Sequence, residues 1–251
     1  MSVDELREFL EFKSTQYNVP EFIATDPVSI PRQFTQREDI EIAGFFAATM
    51  AWGNRPAILK ALHQLMLMMD NAPSEFIRLS SESDLQRLHK FVYRTFNGLD
   101  AVCFVRALKQ VYNEYGSLEN AFALDSGGDV KKAMELFRQR FFAHNVPGHA
   151  GKHLADVASG SAGKRLNMFL RWMVRKGPVD FGIWNAFSIA SLYLPLDLHT
   201  GNVSRKLGLL TRKQNDWKAV DEVTANLRLL DPLDPVKYDF ALFGLGIYEK
   251  F

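Results

Sequence analysis

The chain has 251 residues, 47% of them hydrophobic, and a formal net charge of +1. That is apolar material enough for one large domain or two small ones, and it excludes a disordered or strongly charged chain. The single cysteine, Cys103, excludes an internal disulfide and a four-cysteine iron–sulfur cluster, and no apolar run approaches the ~20 residues that a membrane-spanning helix needs.

The elements read almost wholly as helix. The start, Met1-Ser2-Val3-Asp4-Glu5, is acidic and unlike a signal peptide, so a cytoplasmic protein is expected. Ser2 caps a first helix to about residue 17, with Glu5 three residues on and Leu6, Phe9 and Leu10 on one face. An irregular connection with Pro20, Pro27 and Pro31 follows. Thr35 with Glu38 reads as a second capping box, opening an apolar helix from Ile40 to about Ala51. Trp52-Gly53-Asn54-Arg55-Pro56 marks a junction, with Pro56 opening the next helix, to Met69. Helices are expected near 73–79, 82–93, 99–114, 117–123 and 129–143, with Ser126-Gly127-Gly128 as the clearest break. Cys103 falls inside one of them and reads as a small buried residue.

Gly160-Ser161-Ala162-Gly163 reads as a tight hairpin opening a helix over 164–175. Leu166, Phe169, Leu170 and Met173 form its apolar face at i, i+3, i+4, i+7 spacing. Lys164, Met168, Arg171 and Arg175 then form an opposite, outward row. Lys164 lies in the first turn, at the positive end of the helix dipole, a poor place for a cation. An amine that gives up its proton is a nucleophile. A second helix is expected over about 198–207, ending at Gly208, with Asp197 as its N-cap after Pro195. If the hairpin folds back on that helix, a fixed carboxylate faces the amine. Two further helices, from 216 to about 229 and from 236 to about 248, close the chain. Only Ile189 to Leu196 leaves room for one short strand.

Charge is unevenly spread. From Lys164 to Lys213 there are nine Lys/Arg against Asp180 and Asp197, a local +7 that leaves −6 for the rest. A basic face on a neutral protein suits a phosphate-backbone binder. The alternative, charges pointing in several directions, stays open. So does the plain reading of Lys164 as a solvated lysine and Asp197 as a cap.

Gly-Lys on a hairpin, then Leu194-Pro195-Leu196-Asp197-Leu198-His199 and Arg205-Lys206-Leu207-Gly208-Leu209, resembles the helix-hairpin-helix DNA glycosylase superfamily. The step from Lys164 to Asp197 is longer than in the endonuclease III type. It is more similar to the archaeal 8-oxoguanine glycosylases, as is the run Lys164-Arg165-Leu166-Asn167-Met168-Phe169-Leu170-Arg171-Trp172-Met173. The whole chain also resembles an uncharacterised bacterial family sharing the Trp-Gly-Asn-Arg-Pro and Tyr-Asp-Phe-Ala-Leu-Phe-Gly-Leu-Gly strings, a likeness that carries no function.

The glycosylase resemblance implies an all-α, two-lobed helical bundle treated as one domain over 1–251. Its helix-hairpin-helix region would lie at about 149–176 and its aspartate segment at about 194–208, with Lys164 and Asp197 meeting at a cleft between lobes. It implies excision of a damaged base from double-stranded DNA, an oxidised purine among the candidates. Lys164 would attack the sugar C1′ and form an imine, after which β-elimination can nick the strand. Asp197 would assist. Gly160, Gly163, Arg171, His199, Arg205 and Lys206 would hold DNA. Asn54 would fill the gap left by an everted nucleotide, and Arg55 would hold a phosphate. Trp52 and Trp172 would line the base pocket. No cofactor, catalytic metal, membrane or protein partner is implied.

Two other readings remain. One is a non-catalytic helix-hairpin-helix nucleic-acid binder using the same surface. The other is a metal-dependent hydrolase on His144, His149 and His153; that stretch lacks the His-Glu-x-x-His pattern and has no acid beside either of the last two histidines. A nucleoside triphosphatase is excluded, because the hairpin lacks the phosphate-loop spacing and the Ser/Thr after its lysine.

Overall fold

The structure is a computed structural model and describes residues 1–144 and 148–251. The fold is all-α, at 65% helix and 3% strand. In chain order the helices are α1 (Val3–Tyr17), α2 (Arg37–Thr49), α3 (Arg55–Met68), α4 (Pro73–Leu79), α5 (Glu82–Leu88), α6 (Gly98–Tyr115), α7 (Leu118–Ala123), α8 (Val130–Phe141), α9 (Lys164–Val174), α10 (Leu198–Lys206), α11 (Trp217–Leu230) and α12 (Tyr238–Ile247). Two two-residue strands, β1 (Val92–Tyr93) and β2 (Phe96–Asn97), pair antiparallel, Tyr93 opposite Phe96. No helix is long and apolar enough to cross a membrane among the described residues.

Most expected helices lie where their caps and periodicity put them. Ser2 closes a complete capping box with Glu5. The proline-rich connection is three 3-10 turns, each starting at one of its prolines (Pro20, Pro27 and Pro31). The Thr35–Glu38 box does not form: α2 starts one residue later, behind Gln36, with no side-chain cap. The helix expected over 82–93 stops at Leu88, because the chain turns back through β1 and β2 before Asn97 caps α6. Residues 189–191 form a 3-10 turn rather than a strand.

The chain divides into two compact units. The first comprises Met1–Phe22, Gly128–Lys131 and Ala155–Phe251; the second comprises Ile23–Gly127 and Lys132–Leu154. In the first, α12 packs against both α1 and α10. Its apolar centre includes Leu10, Val203, Val223, Leu227, Tyr238 and Leu242. Gly244 permits the approach of α1 to α12, since a Cβ there would stand 2.1 Å from the Tyr17 ring. The second unit is built on α2, α4 and α6 and is filled with phenylalanine. Phe45 meets Phe104 at 6.0 Å, Phe104 meets Phe141 at 4.9 Å, and Phe122 stacks on Phe137 at 3.9 Å. Glu41 is fully buried there, and its charge is met by Arg37, the Tyr112 hydroxyl at 2.9 Å and the Leu118 N–H at 3.2 Å.

Candidate active site

Lys164 and Asp197 meet in the first unit. Lys164 is the first residue of α9, directly after Gly163, which takes a left-handed conformation (φ 58°) and supplies no side-chain cap. Gly163 suits that turn twice over: any other residue would be strained at that φ, and a Cβ would stand 2.8 Å from Val157 Cγ1. Asp197 caps α10. Its Oδ1 accepts from the His199 N–H at 2.8 Å and the Thr200 N–H at 3.0 Å, while the Asp197 N–H donates to Thr200 Oγ1 at 2.8 Å. The other oxygen, Oδ2, lies 3.3 Å from Lys164 Nζ, with the two side chains 31% and 20% exposed. One oxygen is therefore held by the helix, the other faces the amine, and solvent still reaches both side chains. Asn215 braces the turn, its Nδ2 donating to the Asp197 carbonyl at 2.9 Å.

Asp239 of α12 was not legible as part of this site. It is buried, and that burial pushes its carboxyl up to about 6; Arg171 pulls it down, and the charges of Asp197 and Lys164 act on it in opposite directions. An acid raised in the folded state binds protons there that the unfolded chain has already released. Stability from this group is thus lost as pH rises from about 4 to about 6. Urea midpoints of the wild type should fall across that interval relative to those of Asp239→Asn; parallel curves would contradict this assignment.

The outward basic row does not exist. Every residue of α9 from Leu166 to Val174 is buried. Arg171 is 3% exposed and bonds Asp180 and Asp239; Arg175 bonds Asp180 at 2.9 Å and Asp234 at 2.8 Å. Arg171 is thus a structural cation rather than a phosphate contact. Arg212 is likewise paired, with Asp216. The part of the +7 stretch that faces solvent includes Lys176, Lys206 and Lys213, with Arg165 and Arg205 half-buried. Arg205 donates to the carbonyls of Arg212 and Lys213 and to Asn215 Oδ1. His199 is exposed beside Asp197.

In the hairpin, the Gly160 N–H is taken up by the Val157 carbonyl at 3.1 Å, and the Gly163 N–H donates to Ser161 Oγ at 3.3 Å. The expected helix before the hairpin is a 3-10 segment, Gly148–His153. Trp172 is fully buried, so it does not line an open pocket; its indole N–H has no acceptor among the described residues. Trp52, Asn54 and Arg55 belong to the second unit. There Asn54 caps α3, accepting from the Ala57 N–H at 3.3 Å, and Trp52 stacks on His153 at 5.6 Å. The three histidines do not converge. His144 turns to Glu114, while His149 and His153 face Asp100. Cys103 is half-buried on α6, not sealed in the core.

A family model described as protein of unknown function (DUF2400) matches residues 26–248. The chain belongs to that family. The match spans Lys164, Asp197 and Asp239, and so the whole DUF2400 candidate site. No curated protein and no solved structure matches the chain.

Proposed function

We propose that this protein excises a damaged base from duplex DNA through an imine on Lys164. The observation that carries the reading is the 3.3 Å approach of Lys164 Nζ to an Asp197 carboxylate whose other oxygen is occupied by helix capping. A proton leaving the ammonium has an acceptor at that distance. The free amine then attacks the sugar C1′, and the N-glycosidic bond breaks with its electron pair going to the departing base, which takes up a proton. Transfer of a proton from Nζ to the ring oxygen then breaks the C1′–O4′ bond, its electron pair going to that oxygen, and leaves the protonated imine between Nζ and C1′. Once Asp197 has passed the proton it took from the ammonium on to the departing base, its carboxylate is again a fixed negative charge beside the cationic sugar, where it stabilises developing charge most. Abstraction of a C2′ proton from the imine would then expel the 3′ phosphate and nick the strand.

The uncapped start of α9 and the cations Arg205 and Lys206 supply phosphate contacts. Affinity should therefore fall as salt rises. The test is borohydride reduction in the presence of duplexes carrying 8-oxoguanine, uracil, an alkylated base or an abasic site. A covalent complex with at least one of them, lost in Lys164→Ala, is expected. DNA binding that survives Lys164→Ala with no complex on any duplex would replace this reading with the non-catalytic binder.

A further inference from the structure

In the second unit, the start of α6 and the 3-10 segment Gly148–His153 bring one acid and two histidines together. Asp100, in the first turn of α6, is 1% exposed, and His153 is 4% exposed. His149 is half exposed. His149 Nδ1 lies 2.8 Å and 3.0 Å from the two Asp100 oxygens, and His153 Nε2 lies 3.3 Å from Oδ2. One donor atom from each residue lies within 4.8 Å of the other two. A metal bound at about 2.0–2.2 Å by nitrogen and carboxylate oxygen sets neighbouring ligand atoms at roughly 3–3.5 Å, so this cluster needs little adjustment to close on an ion.

The cluster is also held in advance. Asp100 accepts from the Asn97 N–H at 2.9 Å. The His153 ring is fixed between Trp52, near-parallel at 5.6 Å, and Phe96, edge-on at 4.9 Å. Ligands oriented by packing and outer hydrogen bonds are what a metal site requires. The half-exposed His149 leaves an approach from solvent.

We propose that Asp100, His149 and His153 bind a divalent transition-metal ion of the zinc class. Two imidazoles and one carboxylate suit zinc and its first-row neighbours; calcium and magnesium favour oxygen donors, and copper(I) favours sulfur. The ion ties the 3-10 segment to the start of α6, with further coordination left to solvent or a ligand. Lys152 opposes it. Its ammonium contacts His149 Nε2, which requires that nitrogen to accept and Nδ1–H to face Asp100. A metal on Nδ1 moves the proton to Nε2, so the exposed Lys152 must swing away. Lys152 is therefore a competitor of the metal, and the effect of removing it distinguishes a metal site from a plain Asp–His hydrogen-bond cluster.

The experiment is calorimetric titration of the full-length, chelator-treated protein with zinc chloride, with thermal melts in parallel. One zinc per chain is expected, with a zinc-dependent rise in melting temperature. His149→Gln, at a half-exposed position, should weaken binding at least tenfold and remove the thermal shift. Lys152→Ala should tighten binding several-fold. Absence of saturable binding by the wild type would overturn the proposal, as would affinity unchanged in His149→Gln. The result is independent of Lys164 chemistry, since Lys164→Ala should bind zinc as the wild type does.

Discussion

Asp197→Asn is expected to slow base excision by about 10²–10⁴-fold while leaving the fold intact. Asparagine caps helices about as well as aspartate. Its carbonyl oxygen can keep the bonds that Oδ1 now accepts from the His199 and Thr200 N–H groups and from the Thr200 hydroxyl. Only the side facing Lys164 changes. There a carboxylate oxygen 3.3 Å from Nζ becomes an amide NH₂, a donor facing a donor. The charge that, in the proposed reaction, takes up the lysine proton and later steadies the cationic sugar disappears at the same time. Single-turnover excision measures the effect, and circular dichroism and melting check the fold. A rate within about threefold of wild type would reduce Asp197 to a helix cap.

Asp180→Ala should destabilise the chain by about 3 kcal/mol, toward the lower end of the range for breaking a buried ion pair. Asp180 is 1% exposed and is shared by Arg171 at 3.2 Å and Arg175 at 2.9 Å. Removing it leaves two buried guanidinium groups with one carboxylate fewer between them. Asp239 and Asp234 stay in place on the far sides, which limits the loss. Urea denaturation of the purified variant is the measurement. A change under about 1 kcal/mol would mean that water or a shifted side chain replaces the missing acid.

The same cluster shows where the sequence was legible and where it was not. The α9 and α10 boundaries follow from local rules: glycines before Lys164, and proline then aspartate before Leu198. Those rules brought Lys164 and Asp197 to the starts of two helices, and the structure brings the pair together. Local rules failed on Arg171 and Arg175. Helical periodicity assumes one face in water, but α9 is covered on nearly all sides after its first turn. The acids that neutralise its arginines include Asp234 and Asp239, 59 and 68 residues further on, and no local pattern signals them. Asp100 was hidden in the same way, since its histidine partner His149 lies 49 residues along the chain. The apparent basic stripe was therefore an overcount. Its solvent-facing remainder lies outside the buried part of α9.

The proposed chemistry stands or falls on Lys164 as the nucleophile. Its most direct test is borohydride reduction on the best-processed duplex, followed by proteolysis and mass spectrometry of the cross-linked peptide. A single adduct is expected, on Lys164, absent from Lys164→Ala and diminished in Asp197→Asn. An adduct on another lysine, or efficient base release by Lys164→Ala, would contradict it.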